Sequence, residues 1–208
     1  MEYLPLIGTV ALLNLLAAIS PGPDFVMAVK NSLTYSRRTG IYTGIGVGLG
    51  ISVHILYCAA GIGFLISKSI FLFSIIKYLG AAYLVYMGIM AIVSRRTKIE
   101  IVNETKKTDI SGIKAVKTGF LTNVLNPKAT LFFLGLFTFV VKPQTPVSVI
   151  VILAFIMVFT AIAWFTIVAI FFTQKPVQRM FLKIEKYFNG VFGGLLILLG
   201  VKIAFSGT

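Results

Sequence analysis

Six long apolar runs, each nearly free of charge, take up most of this chain. A helix that crosses a bilayer needs about 20 such residues, and in lipid every backbone polar group must be satisfied inside the helix. The chain therefore reads as an all-α integral membrane protein. Its six transmembrane helices fall at about 4–29, 40–66, 70–93, 118–141, 147–173 and 188–206. Acids are scarce, six against 19 lysines and arginines, which leaves a formal net charge of +13. A nucleic-acid footprint would gather that charge on one continuous face. Here it falls in short islands between the apolar runs, so no nucleic-acid partner is expected. The single cysteine, Cys58, cannot form an internal disulfide and reads as a packing residue. No Cys/His set could hold zinc, so neither metal nor cofactor is expected. The first run has Glu2 at its start and meets its first cation at Lys30, unlike a cleaved signal peptide.

The cations mark alternate connections. Segment 30–38 carries three, 94–117 seven and 174–187 four, against four at the opposite ends, Lys68, Lys77, Lys142 and Lys202. The positive-inside rule then makes the three basic loops cytoplasmic and turns both termini outward. The basic loops are also expected to touch anionic lipid. The longest, 94–117, separates a first half, 1–93, from a second, 118–208. Three helices per half give the halves opposite topology, the inverted-repeat plan of many secondary transporters. Gly40, Gly44 and Gly48 recur at four-residue spacing on the second helix, with Gly46 and Gly50 on an adjacent stripe. Such stripes let helices approach closely and gain contacts that lipid cannot match.

Ionisable groups inside a membrane are expensive, at least about 2.5–3.5 kcal/mol on insertion scales. Only Asp24 and Lys128 lie clearly within apolar runs, together with the lone histidine, His54. Asp24 follows Pro21-Gly22-Pro23, and Lys128 follows Asn126-Pro127. Proline breaks a helix interior and suits the first position of a new one, with Asn suited to the cap before it. The first and fourth helices are therefore expected to be broken, each with a fresh N-terminus inside the membrane. Corresponding breaks in two halves point to a transport site. Pro23, Asp24, Asn126, Pro127 and Lys128 are the candidate substrate-binding residues. A cation in the first turn of a half-helix adds to the positive end of the dipole, so stability alone does not explain Lys128, whereas a carboxylate ligand does. Asp24 is the matching site for an α-ammonium group and a candidate proton carrier. The two charges are expected to approach each other when no substrate separates them. Proline kinks with Lys128 snorkelling to the surface are the alternative.

The residues at 20–50, at 77–88 (Lys77 to Gly88, with Leu79-Gly80-Ala81-Ala82-Tyr83-Leu84) and at 123–136 (with Asn126-Pro127-Lys128) resemble the LysE/RhtB superfamily of amino-acid exporters. The likeness extends over most of the chain, and the general pattern is closer to the homoserine/threonine branch than to the lysine branch. The resemblance implies an inner-membrane exporter of small amino acids such as threonine, homoserine or leucine, driven by the proton-motive force. The family often has a Gln near the outer end of the fourth helix, where this chain has Phe139. The expected partners are an amino-acid substrate, the proton and the bilayer, with a homodimer as a possible assembly.

Two other classes fit less well. An oligomeric channel would usually show acid rings, and a single intramembrane Asp supplies one only through oligomerisation. An intramembrane enzyme would need a nucleophile, a base and an orienting group, and neither paired carboxylates nor H-E-x-x-H is present. His54 suits a proton relay; a bond to a neighbouring helix, near Tyr57 or Ser52, is the alternative. Trp164, Tyr83 and Tyr86 read as packing residues.

Overall fold

The computed structural model describes residues 3–93, 108–142 and 144–206, and among these the side chains of all but 65–67. The described residues form eight helices and no strand: α1 (Leu4–Ile19), α2 (Pro23–Thr34), α3 (Arg37–Lys68), α4 (Ile70–Val93), α5 (Gly112–Val124), α6 (Pro127–Val140), α7 (Val147–Phe171) and α8 (Lys175–Phe205). Helices α3, α4, α7 and α8 are each long and apolar enough to cross a membrane. The pairs α1–α2 and α5–α6 each add a span bent at its break, by 54° and 59°. This is an all-α integral membrane protein with its first and fourth spans broken. Both breaks fall where proline denies the helix a donor: Pro23 and Pro127 each open the second member of a pair.

Most helices outrun the apolar stretches that announce them. The third span matches its expected bounds, 70–93. The last begins at Lys175, not near 188, and the fourth at Gly112, not near 118. Segment 174–187, read from the sequence as a basic loop, is therefore almost entirely helix. Hydropathy reports which residues can sit in lipid, while a helix continues as long as its backbone bonds and one packed face persist. In α8 that face is Gln178, Phe181, Glu185, Asn189 and Phe192, all buried and spaced three or four apart. Likewise the 30–38 loop shrinks to Tyr35 and Ser36 between α2 and α3. That turn is tied to the end of the linker: Ser36 Oγ and Thr39 Oγ1 donate to Asp109 at 2.7 and 3.1 Å. The rest of the linker, 94–107, lies outside the described residues.

The second-helix glycine stripes are helix contacts. Gly40, Gly44 and Gly48 face Ala169, Phe165 and Ile162 of α7, while Gly46 and Gly50 face Val116 and Asn123 of α5. At Gly46 a Cβ would collide with the carbonyl oxygen of Val116, and at Gly119 with that of Thr43. Helices α3 and α5 thus meet backbone to backbone. On the other side α4 lies along α8, with Gly88 against Gly193 and Gly200 against Ala81. One seam thus includes α5, the first half of the fourth span.

Candidate functional site

The two helix breaks meet inside the bundle. Asp24 stands in the first turn of α2, and its Oδ2 accepts from Asn123 Nδ2 at 2.9 Å and Asn126 Nδ2 at 3.1 Å. Asn126 is the N-cap of α6, and its Oδ1 accepts from the Lys128 N–H at 3.0 Å. One side chain thereby satisfies an orphan donor of its own helix and holds the carboxylate of another. Asn123, in the last turn of α5, is buried, and its carbonyl accepts from the Asn126 N–H at 2.9 Å. The other carboxylate oxygen, Asp24 Oδ1, is buried and accepts no hydrogen bond from the protein.

Lys128 reaches the other way. Its ammonium donates to the carbonyl of Ser20 at 3.3 Å, the Ser20 hydroxyl at 3.2 Å and the carbonyl of Pro21 at 3.5 Å. Ser20 is the C-cap of α1, so these carbonyls have lost their intrahelical donors to the break. A cation suits that end of a helix. Helix stability thus gives Lys128 a reason that its position in the sequence does not show: the ammonium leaves the positive end of its own helix and caps the negative end of α1. The two charges are not ion-paired, against expectation. They stand on the wall of one cavity of about 50 Å³, whose polar side is Asn14, Ser20, Asp24, Asn123, Asn126 and Lys128.

The other sequence candidates take supporting positions. Pro23 and Pro127 are exposed at the first positions of α2 and α6; they make the breaks and are not on the cavity wall. His54 is buried, stacked on Phe133 at 5.3 Å, with Nδ1 2.6 Å from Tyr57 Oη and Nε2 3.1 Å from the Asn123 carbonyl. With the proton on Nε2, both ring nitrogens are satisfied, and His54 meets Asp24 only through Asn123. Trp164 donates its indole N–H to the Ala18 carbonyl at 3.0 Å, fastening α7 to the last turn of α1. Tyr83 packs against the core as expected, while Tyr86 is exposed; both line a second cavity of about 300 Å³.

The family described as LysE type translocator matches residues 15–207. The chain belongs to that family. Among similar proteins, this LysE type translocator is 27% identical to the threonine efflux protein of Escherichia coli over 200 residues, 95% of this chain and 97% of the relative. It is 28% identical to the threonine efflux protein of Salmonella typhi over 205 residues, covering 98% and 99% of the two chains. An uncharacterized membrane protein of Bacillus subtilis is 29% identical over 195 residues, 90% of this chain and 93% of that one. No solved structure matches the chain significantly.

A survey restricted to charges misses much of this translocator's site. Asn14, Asn123 and Asn189 are buried amides on apolar helices. Asn14 donates to the Met157 carbonyl and Thr160 Oγ1 at 3.0 and 2.9 Å. Their signal in the sequence is a single amide inside an apolar run, costly unless bonded. Lys77, counted from sequence with the outer ends, is buried and donates to the carbonyl of Ser206 at the end of α8.

Asn123 owes its position to Gly50. A Cβ there would lie 2.6 Å from Asn123 Oδ1 and 2.8 Å from its Cβ. Gly50→Ala is therefore expected to displace the amide that holds Asp24 and to destabilise the protein by about 1–3 kcal/mol. A lowered thermal midpoint of the purified protein in detergent is the readout; an unchanged midpoint would show that the α3–α5 seam yields freely.

Proposed function

We propose that this LysE type translocator exports small neutral amino acids, such as threonine, homoserine or leucine, by proton-coupled antiport. One observation carries the reading: a half-buried carboxylate and a half-buried ammonium, one from each helix break, line the same cavity without being paired. A zwitterion needs an anionic and a cationic site a short distance apart and out of bulk water, which this pair supplies. Lys128 receives the substrate carboxylate, helped by the positive end of the α6 dipole. Asp24 receives the α-ammonium through Oδ1, or a proton when no substrate is bound. His54 is a positioning residue that holds Asn123 and, through it, Asp24. The relatives named threonine efflux proteins support the class of cargo.

In this reading the halves 1–93 and 118–208 are inverted repeats, and the protein alternates by moving one against the other. It sits in the cytoplasmic membrane with the basic ends inward, where anionic lipid meets them. A cysteine at Asn103 in a Cys58→Ala background should then resist impermeant thiol reagents in intact cells, while one at Gln144 is labelled. The reverse pattern would overturn the orientation.

Counterflow in proteoliposomes tests the function itself. An exporter exchanges labelled amino acid for unlabelled and accumulates the label transiently. Equilibration without accumulation would mean a channel, and a chemically changed amino acid an enzyme.

A further inference from the structure

The larger cavity is continuous in its lining with the site just described. Ser20, Met87 and Lys128 belong to the walls of both, whereas Asp24 belongs to the smaller alone. The two differ in size and in chemistry. About 50 Å³ holds a few waters and leaves no room for a side chain beyond the charged head of an amino acid. The other, about 300 Å³, reaches the lower size range of small-molecule sites. Its polar groups are Lys128, Ser20 and Asn189, joined where Lys128 donates to Ser20 and Ser20 Oγ lies 3.4 Å from Asn189 Oδ1, together with the hydroxyls of Tyr83 and Tyr86. The rest of its wall is the Tyr83 and Tyr86 rings, Met87, Met90 and Phe192, with Ala91 and Pro21. Among the described residues no carboxylate lines it, and its charged group is the Lys128 ammonium.

We propose that this second cavity is the side-chain pocket of the transported amino acid, and that it selects large apolar side chains, those of leucine, methionine and phenylalanine. The inference rests on the proposed amino-acid export and shifts its preferred cargo from threonine and homoserine to leucine and larger apolar amino acids. A substrate with its ammonium on Asp24 and its carboxylate on Lys128 has its side chain directed from the small cavity into the large one, because Lys128 borders both. Lysine and arginine are disfavoured there, since their charge would enter a wall with no acid and one ammonium. Threonine would leave most of the apolar surface uncovered. The methionines adapt to differently shaped apolar groups, and aromatic faces suit thioethers.

The test is counterflow with the reconstituted protein, using labelled leucine, methionine, phenylalanine, alanine, threonine and lysine in turn. Leucine and methionine are expected to exchange at least about tenfold faster than threonine or lysine, the span that one or two methylenes supply in an apolar pocket. Ala91→Phe should fill the cavity and lower the leucine-to-alanine rate ratio about tenfold. Met90→Ala should enlarge it and raise the phenylalanine-to-leucine ratio. Ratios within one protein do not depend on how much of a variant folds. Threonine or lysine exchanging as fast as leucine would overturn the pocket assignment while leaving amino-acid export standing, as would ratios that neither variant moves. If none of the amino acids exchanges, export itself falls and this inference with it.

Discussion

Replacing Asp24 with asparagine is expected to give a folded protein that no longer accumulates amino acid against a gradient. The substitution keeps the shape, and an amide oxygen still accepts from Asn123 and Asn126, which hold the native carboxylate at 2.9 and 3.1 Å. What it removes is the negative charge and the capacity to bind a proton. A hydrogen bond to a charged group contributes about 1.5–3 kcal/mol, so the site for the α-ammonium weakens by about one to two orders of magnitude. Proton-driven accumulation in vesicles should disappear altogether, because among the described residues no other acid lines either cavity. The thermal midpoint in detergent should stay close to that of the parent. Full gradient-driven transport by Asp24→Asn would refute the proton-carrier role. Loss of transport together with loss of the folded protein would assign the carboxylate to architecture instead.

Lys128 has two tasks, and substitutions separate them. Lys128→Met keeps the length and apolar character of the stem but leaves the Ser20 and Pro21 carbonyls without their ammonium donor. Stability is expected to fall by about 1–3 kcal/mol, and exchange of every amino acid should be lost with the carboxylate site. Lys128→Arg retains charge and donors, so it should regain most of the thermal midpoint. Its planar fork, however, cannot reproduce the point contact of an ammonium, and exchange should remain impaired with a raised KM. If Lys128→Met were to exchange substrate at the parent rate, the ammonium would be a helix cap and nothing more.

The site was legible in the sequence in its charges and poorly legible in its amides. Asp24 and Lys128 stood out because a charge in an apolar run has few explanations. Asn123 did not, since a lone amide is common near the end of a span. It nevertheless joins three parts: its side chain holds Asp24, its carbonyl meets His54, and its bulk fits against Gly50. The pairing expected between Asp24 and Lys128 is absent for a related reason. Opposite charges attract, but the Lys128 ammonium also finds the carbonyl end of α1, and sequence spacing says nothing about that competitor. Tyr83 packs against the core but Tyr86 does not, because helical periodicity marks a face without saying whether protein, lipid or a cavity lies opposite.

What the sequence determined by itself is what depends on neighbours along the chain. An apolar run carries its membrane preference in its own residues, and proline lacks its donor wherever it stands, so the spans and both helix breaks could be read without coordinates. Glycine spacing likewise marked the faces of α3 that would pack closely. The tertiary structure decided which faces meet and which groups share a cavity. The ammonium of Lys128 and the carbonyl of Ser20 are 108 residues apart in the chain and 3.3 Å apart in space. A hydrogen bond over that separation follows from how the broken spans α1–α2 and α5–α6 meet, and that meeting is fixed by packing across the whole bundle.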